Sequence, residues 1–223
     1  MSTQPHPSPV NFQVVPAGPL GEARQRHRAT IGPVNFQVVP AGPLPLIKTL
    51  LNELEVGATI DALVPNDTGE FPFGGLAEIL IASRLQDKPL PIYEISDWAH
   101  ETVVPMLFGI PADKLNDDRL GAMLDAVRPH RNAIWARVLG RAVTRFGIDL
   151  STLHADPTKI AFEGSYEGWD DLPPDVPRIA YGKPKDGQVD RKLVTLSQWV
   201  SGDGGVPVWM GLADGNAADD PLY

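Results

Sequence analysis

The chain of 223 residues contains no cysteine, which excludes disulfide bonds and thiolate metal sites. Hydrophobic residues make up 43% and charged residues 21%, an ordinary globular balance, and the formal net charge of −9 argues against nucleic-acid binding by the chain as a whole. No apolar run approaches the roughly 20 residues that span a bilayer, and residues 1–9 lack the apolar stretch of a secretory signal. These features predict a cytoplasmic protein with no membrane partner.

The first 44 residues contain an identical repeat. The twelve residues PVNFQVVPAGPL stand at positions 9–20 and again at 33–44. Two identical copies do not make a solenoid, which needs at least three units, so a recent in-frame duplication is the better interpretation. Arg24, Arg26 and Arg28 lie between the copies and could form a basic arm, but this stretch cannot bury a core. We therefore predict a disordered leader over residues 1–44, with the original start at the second copy.

Residues 45–148 have the pattern of an all-helical domain of about five helices. Apolar residues recur at helical spacing in the segments 46–54, 76–85, 92–98 and 120–127. Gly57 is expected to end the first of these helices, and Asn116 or Asp117 is expected to cap the fourth. Pro129 can begin the longest helix, which Gly147 ends.

The longest predicted helix carries most of a basic block. Residues 119–148 contain six arginines and one aspartate, a net charge of +5 between two acidic stretches. Arg137, Arg141 and Arg145 are spaced four apart, so they lie along one flank of the helix. They could contact DNA phosphates, or they could form an ordinary solvated flank. The pattern leaves both interpretations open.

After Gly147 the pattern changes from helical to β. A strand is expected over residues 151–162, a second over 192–200 and a third over 206–213, with Asp203-Gly204-Gly205 as a hairpin turn. Residues 164–190 are rich in Gly, Pro and acids and predict a loop. A proline inside a strand, here Pro157, removes one ladder hydrogen bond, which predicts either a bulge or a decayed strand. The fold class is therefore α+β.

Several segments, in a fixed order, carry a resemblance to a known family. They are FGIP at 108–111, NDDRLG at 116–121, LHADPT at 153–158, YGKPKD at 181–186 with Arg191-Lys192, and GVP at 205–207 followed by DGNAAD at 214–219. Together they resemble bacterial insertion-sequence transposases of the DDE superfamily, over about residues 43–223.

The resemblance implies that residues 149–223 begin an RNase H-like catalytic domain and form its first three-stranded β-meander. It implies DNA transposition by strand cleavage and transfer, with Mg²⁺ or Mn²⁺ as the cofactor and DNA as the partner. Asp156 matches the first of the family's three catalytic acids and would be a metal ligand. The other two belong to a fourth strand and a later helix, which these residues do not include. We therefore expect an incomplete catalytic domain that is inactive alone, and whether the chain is an enzyme stays open.

Other residues and interpretations accompany this hypothesis. His154 shares a strand face with Asp156, and a structural role suits it better than a metal role. Lys183, Lys185, Arg191 and Lys192 form a second basic set that could contact DNA. Gly74-Gly75 and Gly204-Gly205 lack the spacing of a phosphate-binding loop, so no organic cofactor is expected. The chain could instead be a non-catalytic fragment that binds DNA, itself or full-length transposase and modulates transposition, or it could be a decayed gene product.

Overall fold

A computed structural model describes residues 38–66, 69–166, 176–182 and 191–217. Within these ranges a helical part precedes an antiparallel sheet, so the α+β class is confirmed. Residues 1–37 of the predicted leader lie outside the described residues, and so do Lys183 and Lys185. None of the described helices is long and apolar enough to cross a membrane.

The helical part contains more segments than the roughly five expected. The α-helices in the described ranges are α1 Leu44–Glu53, α2 Val56–Leu63, α3 Phe73–Arg84, α4 Ile95–His100, α5 Val104–Phe108, α6 Asp117–Val127 and α7 Arg131–Phe146. Short 3₁₀ segments span Ile92–Glu94, Ala112–Lys114 and Arg128–His130. Prolines explain much of this division, because Pro91, Pro105 and Pro111 each stand at the start of a helical segment, where a missing N–H costs nothing.

The break between α1 and α2 differs from the sequence prediction. Gly57 does not end a helix but lies in the first turn of α2. The chain turns one step earlier, at Glu55, whose φ of 50° places a non-glycine residue in the left-handed region. The side chain of Glu55 is therefore presented at a sharp helix–helix corner.

One hydrophobic core unites the helices. Its most enclosed side chains include Leu76, Ile79, Ile95, Leu115 and Leu120, each 0–1% exposed. The last residues of the predicted leader also belong to it, because Leu44 is buried and the Pro40 carbonyl accepts a hydrogen bond from the Val103 N–H at 3.3 Å. Pro40 and Leu44, in the second copy of the repeat, thus belong to the folded helical part, although the predicted leader extends to residue 44.

A buried glutamate ties three helices together. Glu78 of α3 accepts hydrogen bonds from the Lys48 ammonium of α1 at 2.5 Å and from the Gly57 N–H of α2 at 3.1 Å. The Lys48 nitrogen also lies 5.0 Å from the centre of the Phe108 ring. Because a buried carboxylate is costly unless it is paired and hydrogen-bonded, these contacts account for its position in the core.

The sheet contains the three long strands expected from the sequence and one short addition. β1 Leu153–Phe162 pairs antiparallel with β3 Arg191–Ser201, which pairs on its other side with β4 Pro207–Asp214. The short β2 Ala180–Gly182, in the segment predicted as a loop, pairs with the first residues of β3. Gly204 and Gly205 have φ values of 74° and 64°, as the predicted turn requires.

Pro157 causes no bulge, in contrast to the expectation. The register of β1 against β3 is continuous over the whole of β1, with Pro157 opposite Ser197. The Gly202 N–H donates to the Thr152 carbonyl at 2.8 Å, so even-numbered residues of β1 turn their backbone polar groups towards β3. The nitrogen of Pro157 therefore faces the outer edge of the sheet, where no described strand needs its missing N–H.

Candidate functional site

Asp156 lies in the middle of β1, on an exposed sheet face. It stands opposite Gln198 of β3, which stands opposite Met210 of β4, so these three side chains share that face. His154 shares it too, two residues earlier on the same strand. The sequence prediction that His154 and Asp156 lie side by side on one face therefore agrees with the register.

The described residues do not complete a metal site around Asp156. Within those parts of the chain, no group of three or more His, Cys, Asp and Glu side chains could hold a metal ion. Mg²⁺ prefers near-octahedral oxygen coordination, and at phosphoryl-transfer sites it is held by one or two carboxylates together with waters and substrate phosphates. The described residues therefore do not form the three-acid metal site that the family resemblance implies, and no catalytic step follows from them.

The second candidate region is the exposed flank of α7. An open groove of about 680 Å³ runs along it, lined by Glu53, Ala136, Arg137, Gly140, Arg141, Thr144 and Arg145. All three arginines named from the sequence are thus brought together, with small side chains between them. No residue of α7 is fully buried, while Ile134 and Val138 on its other side pack partly against the helical core.

Two of these arginines are paired with glutamates that the sequence did not suggest. The Arg145 Nε lies 3.4 Å from Glu53 Oε2, and Arg141 forms an ion pair with Glu55. Across the described residues, Arg137 has no ion-pair partner. Each of these pairs is about half exposed, so each contributes little to stability. The only indication of these pairs in the sequence is that Glu53 and Glu55 belong to an acidic stretch.

The second predicted basic set is only partly visible and is differently engaged. Arg191 is exposed opposite Gly182 at the start of β3. The Lys192 ammonium donates to the Ser165 carbonyl and lies 5.6 Å from the Tyr181 ring centre and 5.9 Å from that of Tyr166. Lys192 is therefore held by contacts within the chain, which makes it a weaker candidate for DNA binding than the arginines of α7.

A hydrogen bond links the two candidate regions. The indole N–H of Trp135, in α7, donates to the Val208 carbonyl of β4 at 3.0 Å. The sequence contains no local signal for this partner, which is 73 positions away. The helix that carries the arginines is thus attached to the sheet that carries Asp156.

Comparison with known proteins adds one finding about the helical part of this α+β chain. Residues 37–136 match the model of a family described as a domain of unknown function, DUF4277. The match begins inside the second copy of the repeat and ends in the first turns of α7, so it includes neither the three arginines nor Asp156. No curated protein and no solved structure matches the chain.

Proposed function

We propose that the chain is the front part of a DDE transposase of a bacterial insertion sequence, and that these residues contribute DNA binding to transposition. The observation that carries the proposal is the groove on α7, where three arginines spaced four apart line one open surface. At a rise of about 1.5 Å per residue, their positions span roughly 12 Å. One strand of B-DNA carries about one phosphate per 3.4 Å of axis, so a strand along this length presents about four phosphates, enough for the three arginines.

The sheet supports the transposase part of the proposal. The strand that carries Asp156 comes first, and the next two long strands follow it side by side in an antiparallel meander. This is the order that the resemblance to an RNase H-like domain implies. In the proposal, Asp156 is the first of the family's three acids, and it acts only when further acids complete the site.

DNA binding is tested with the whole 223-residue chain and a fluorescein-labelled 30-base-pair duplex of mixed sequence, by fluorescence anisotropy at several salt concentrations. We expect the triple variant Arg137→Ala, Arg141→Ala, Arg145→Ala to bind at least tenfold more weakly at low salt. We also expect the slope of log K against log salt to fall by up to about 3, since each phosphate contact contributes roughly 0.9.

The matched control removes three positive charges elsewhere, at Arg84, Lys88 and Lys114, by substitution with alanine. If both triple variants weaken binding equally, the effect is one of net charge and the groove is not the DNA-binding surface. If the unmodified chain shows no salt-dependent binding at all, the proposed function is wrong.

The second candidate function is that of a non-catalytic module that binds DNA, itself or full-length transposase and modulates transposition. It is favoured by the absence of a three-ligand metal group within the described ranges. Size-exclusion chromatography of the chain mixed with the complete transposase would support it if the two co-elute. Separate elution at micromolar concentrations would exclude that partner.

A further inference from the structure

We infer that Glu53 and Glu55 act as internal competitors of DNA, because their carboxylates occupy two of the three arginines that the phosphates would need. The inference rests on the proposed function and adds to it a regulation of the same surface. The relevant residues come from two places in the chain: the acids from the α1–α2 corner and the arginines from α7.

The geometry makes the carboxylates resemble bound phosphates. Glu53 is itself part of the groove lining, and its Oε2 lies 3.4 Å from the Arg145 Nε. Glu55 reaches Arg141, which is one helical turn away from Arg145. The two carboxylates thus lie one helical turn apart along the row of arginines. They contact the guanidinium groups that the phosphates of a DNA strand would contact.

The exposure of the pairs makes the competition reversible. The side chains of Arg141 and Glu55 are 43% and 48% exposed, and those of Arg145 and Glu53 are 61% and 35% exposed. Pairs in such positions are weak and screened by salt. DNA can therefore displace the carboxylates, at a reduced affinity. Arg137, which is unpaired in the described structure, is available for the first contact.

The backbone conformation at Glu55 suits glycine better than glutamate, which is consistent with a function for the glutamate side chain. A non-glycine residue at φ 50° is conformationally unfavourable, and glycine would be accommodated there at lower cost. The variant Glu55→Gly therefore removes the carboxylate without disturbing the turn.

The test compares DNA affinity by the same anisotropy assay, at 50 mM salt, for the unmodified chain and for Glu53→Gln with Glu55→Gln. We expect the double variant to bind roughly 2- to 25-fold more tightly, because each of the two lost exposed pairs corresponds to about 1.5- to 5-fold. Its matched control is Asp87→Asn with Glu101→Gln, which neutralises two exposed acids outside the groove and is expected to change the affinity less than twofold.

Two outcomes of this affinity comparison overturn the inference while leaving the proposed function intact. One is arginine-dependent binding by the unmodified chain that the double variant does not strengthen. The other is an equal gain in the control, which would show that only net charge matters. By contrast, if DNA binding by the unmodified chain does not depend on the three arginines, the proposed function itself is rejected.

A second measurement on the unmodified chain guards against misfolding of the variants. The NMR signal of the Arg145 Nε–H and the carboxyl carbon of Glu53 are followed while the duplex is added. We expect both to move together, the Glu53 carbon towards the position of an unpaired carboxylate. A Glu53 signal that stays unchanged at saturating DNA overturns the inference, because the pair then persists in the complex. Glu55→Gly provides a further variant, and it is expected to fold and to bind DNA more tightly.

Discussion

Helices α2 and α3 cross with almost no space between their backbones. The substitution Gly74→Ala adds a methyl group at this crossing and so tests how closely the two backbones approach. A Cβ at position 74 would lie 2.2 Å from the Gly57 carbonyl oxygen and 2.7 Å from Asp61 Oδ2. The Gly74 N–H donates to Asp61 Oδ1 at 2.7 Å, so the same change disturbs a hydrogen bond to a charged group. The nearest atom belongs to the backbone and cannot move aside by rotating.

The expected loss for Gly74→Ala follows from three contributions. Overpacking costs about 1–3 kcal/mol, and a lost hydrogen bond to a carboxylate costs about 1.5–3 kcal/mol. The better helix propensity of alanine returns about 1 kcal/mol. The net loss is about 3 kcal/mol, which at a urea slope of about 2 kcal/mol/M lowers the unfolding midpoint by roughly 1.5 M.

The assay is urea unfolding followed by far-ultraviolet circular dichroism, and the matched control is Gly121→Ala. Position 121 lies in α6, and a Cβ there meets nothing within 4 Å. The control should gain about 0.5–1 kcal/mol from helix propensity alone. If Gly74→Ala unfolds at the same urea concentration as the unmodified chain, the close crossing does not exist as described.

Three further outcomes are expected. Trp135→Phe removes the hydrogen bond to the Val208 carbonyl and should cost about 1 kcal/mol in urea unfolding, whereas no loss would mean that α7 is not attached to the sheet there. The pKa of Asp149 lies below its ordinary value of 3.8. The main cause is the hydrogen bond from the Ser151 N–H to its carboxylate, and the hydrogen bond from the Ser151 hydroxyl adds a smaller effect. Its contribution to stability is therefore present above about pH 4 and is lost as the pH falls through the lowered pKa. Ser151→Ala should raise that pKa only part of the way in an NMR titration, since the backbone donor remains, and an unchanged value would contradict the assignment. Finally, these 223 residues should not cut or join duplex DNA with Mg²⁺ or Mn²⁺, and robust cleavage on a gel would show that they already contain a complete catalytic site.

The parts of the fold that the sequence predicted correctly depend on local signals. Asn116 accepts a hydrogen bond from the Arg119 N–H and caps α6, and the two glycines at 204–205 form the hairpin turn between β3 and β4. Both features depend on residue type at a fixed offset. The corner at Glu55 was missed because no propensity favours a glutamate in the left-handed region, so it is held by the packing of α1 and α2 on the core.

The candidate site likewise combines features that local sequence signals predict with features that only the tertiary fold determines. The spacing of the arginines predicted that they share a flank of α7, and the groove confirms that they lie together. Their pairing with Glu53 and Glu55 could not be predicted, because it joins residues about 90 positions apart in sequence through tertiary packing. The bond from Trp135 to Val208 is a similar case: an indole N–H seeks an acceptor, but only the fold decides which carbonyl is within reach.

Pro157 places a condition on the proposed RNase H-like domain. In that domain the first strand is central, so a second neighbour must pair with the outer edge of β1. The odd-numbered residues face that edge, and among them Ala155 and Lys159 retain their N–H groups on either side of the proline. A neighbouring strand therefore loses one hydrogen bond at position 157 and keeps those around it. The proline that is unusual beside a catalytic aspartate is thus compatible with a completed sheet.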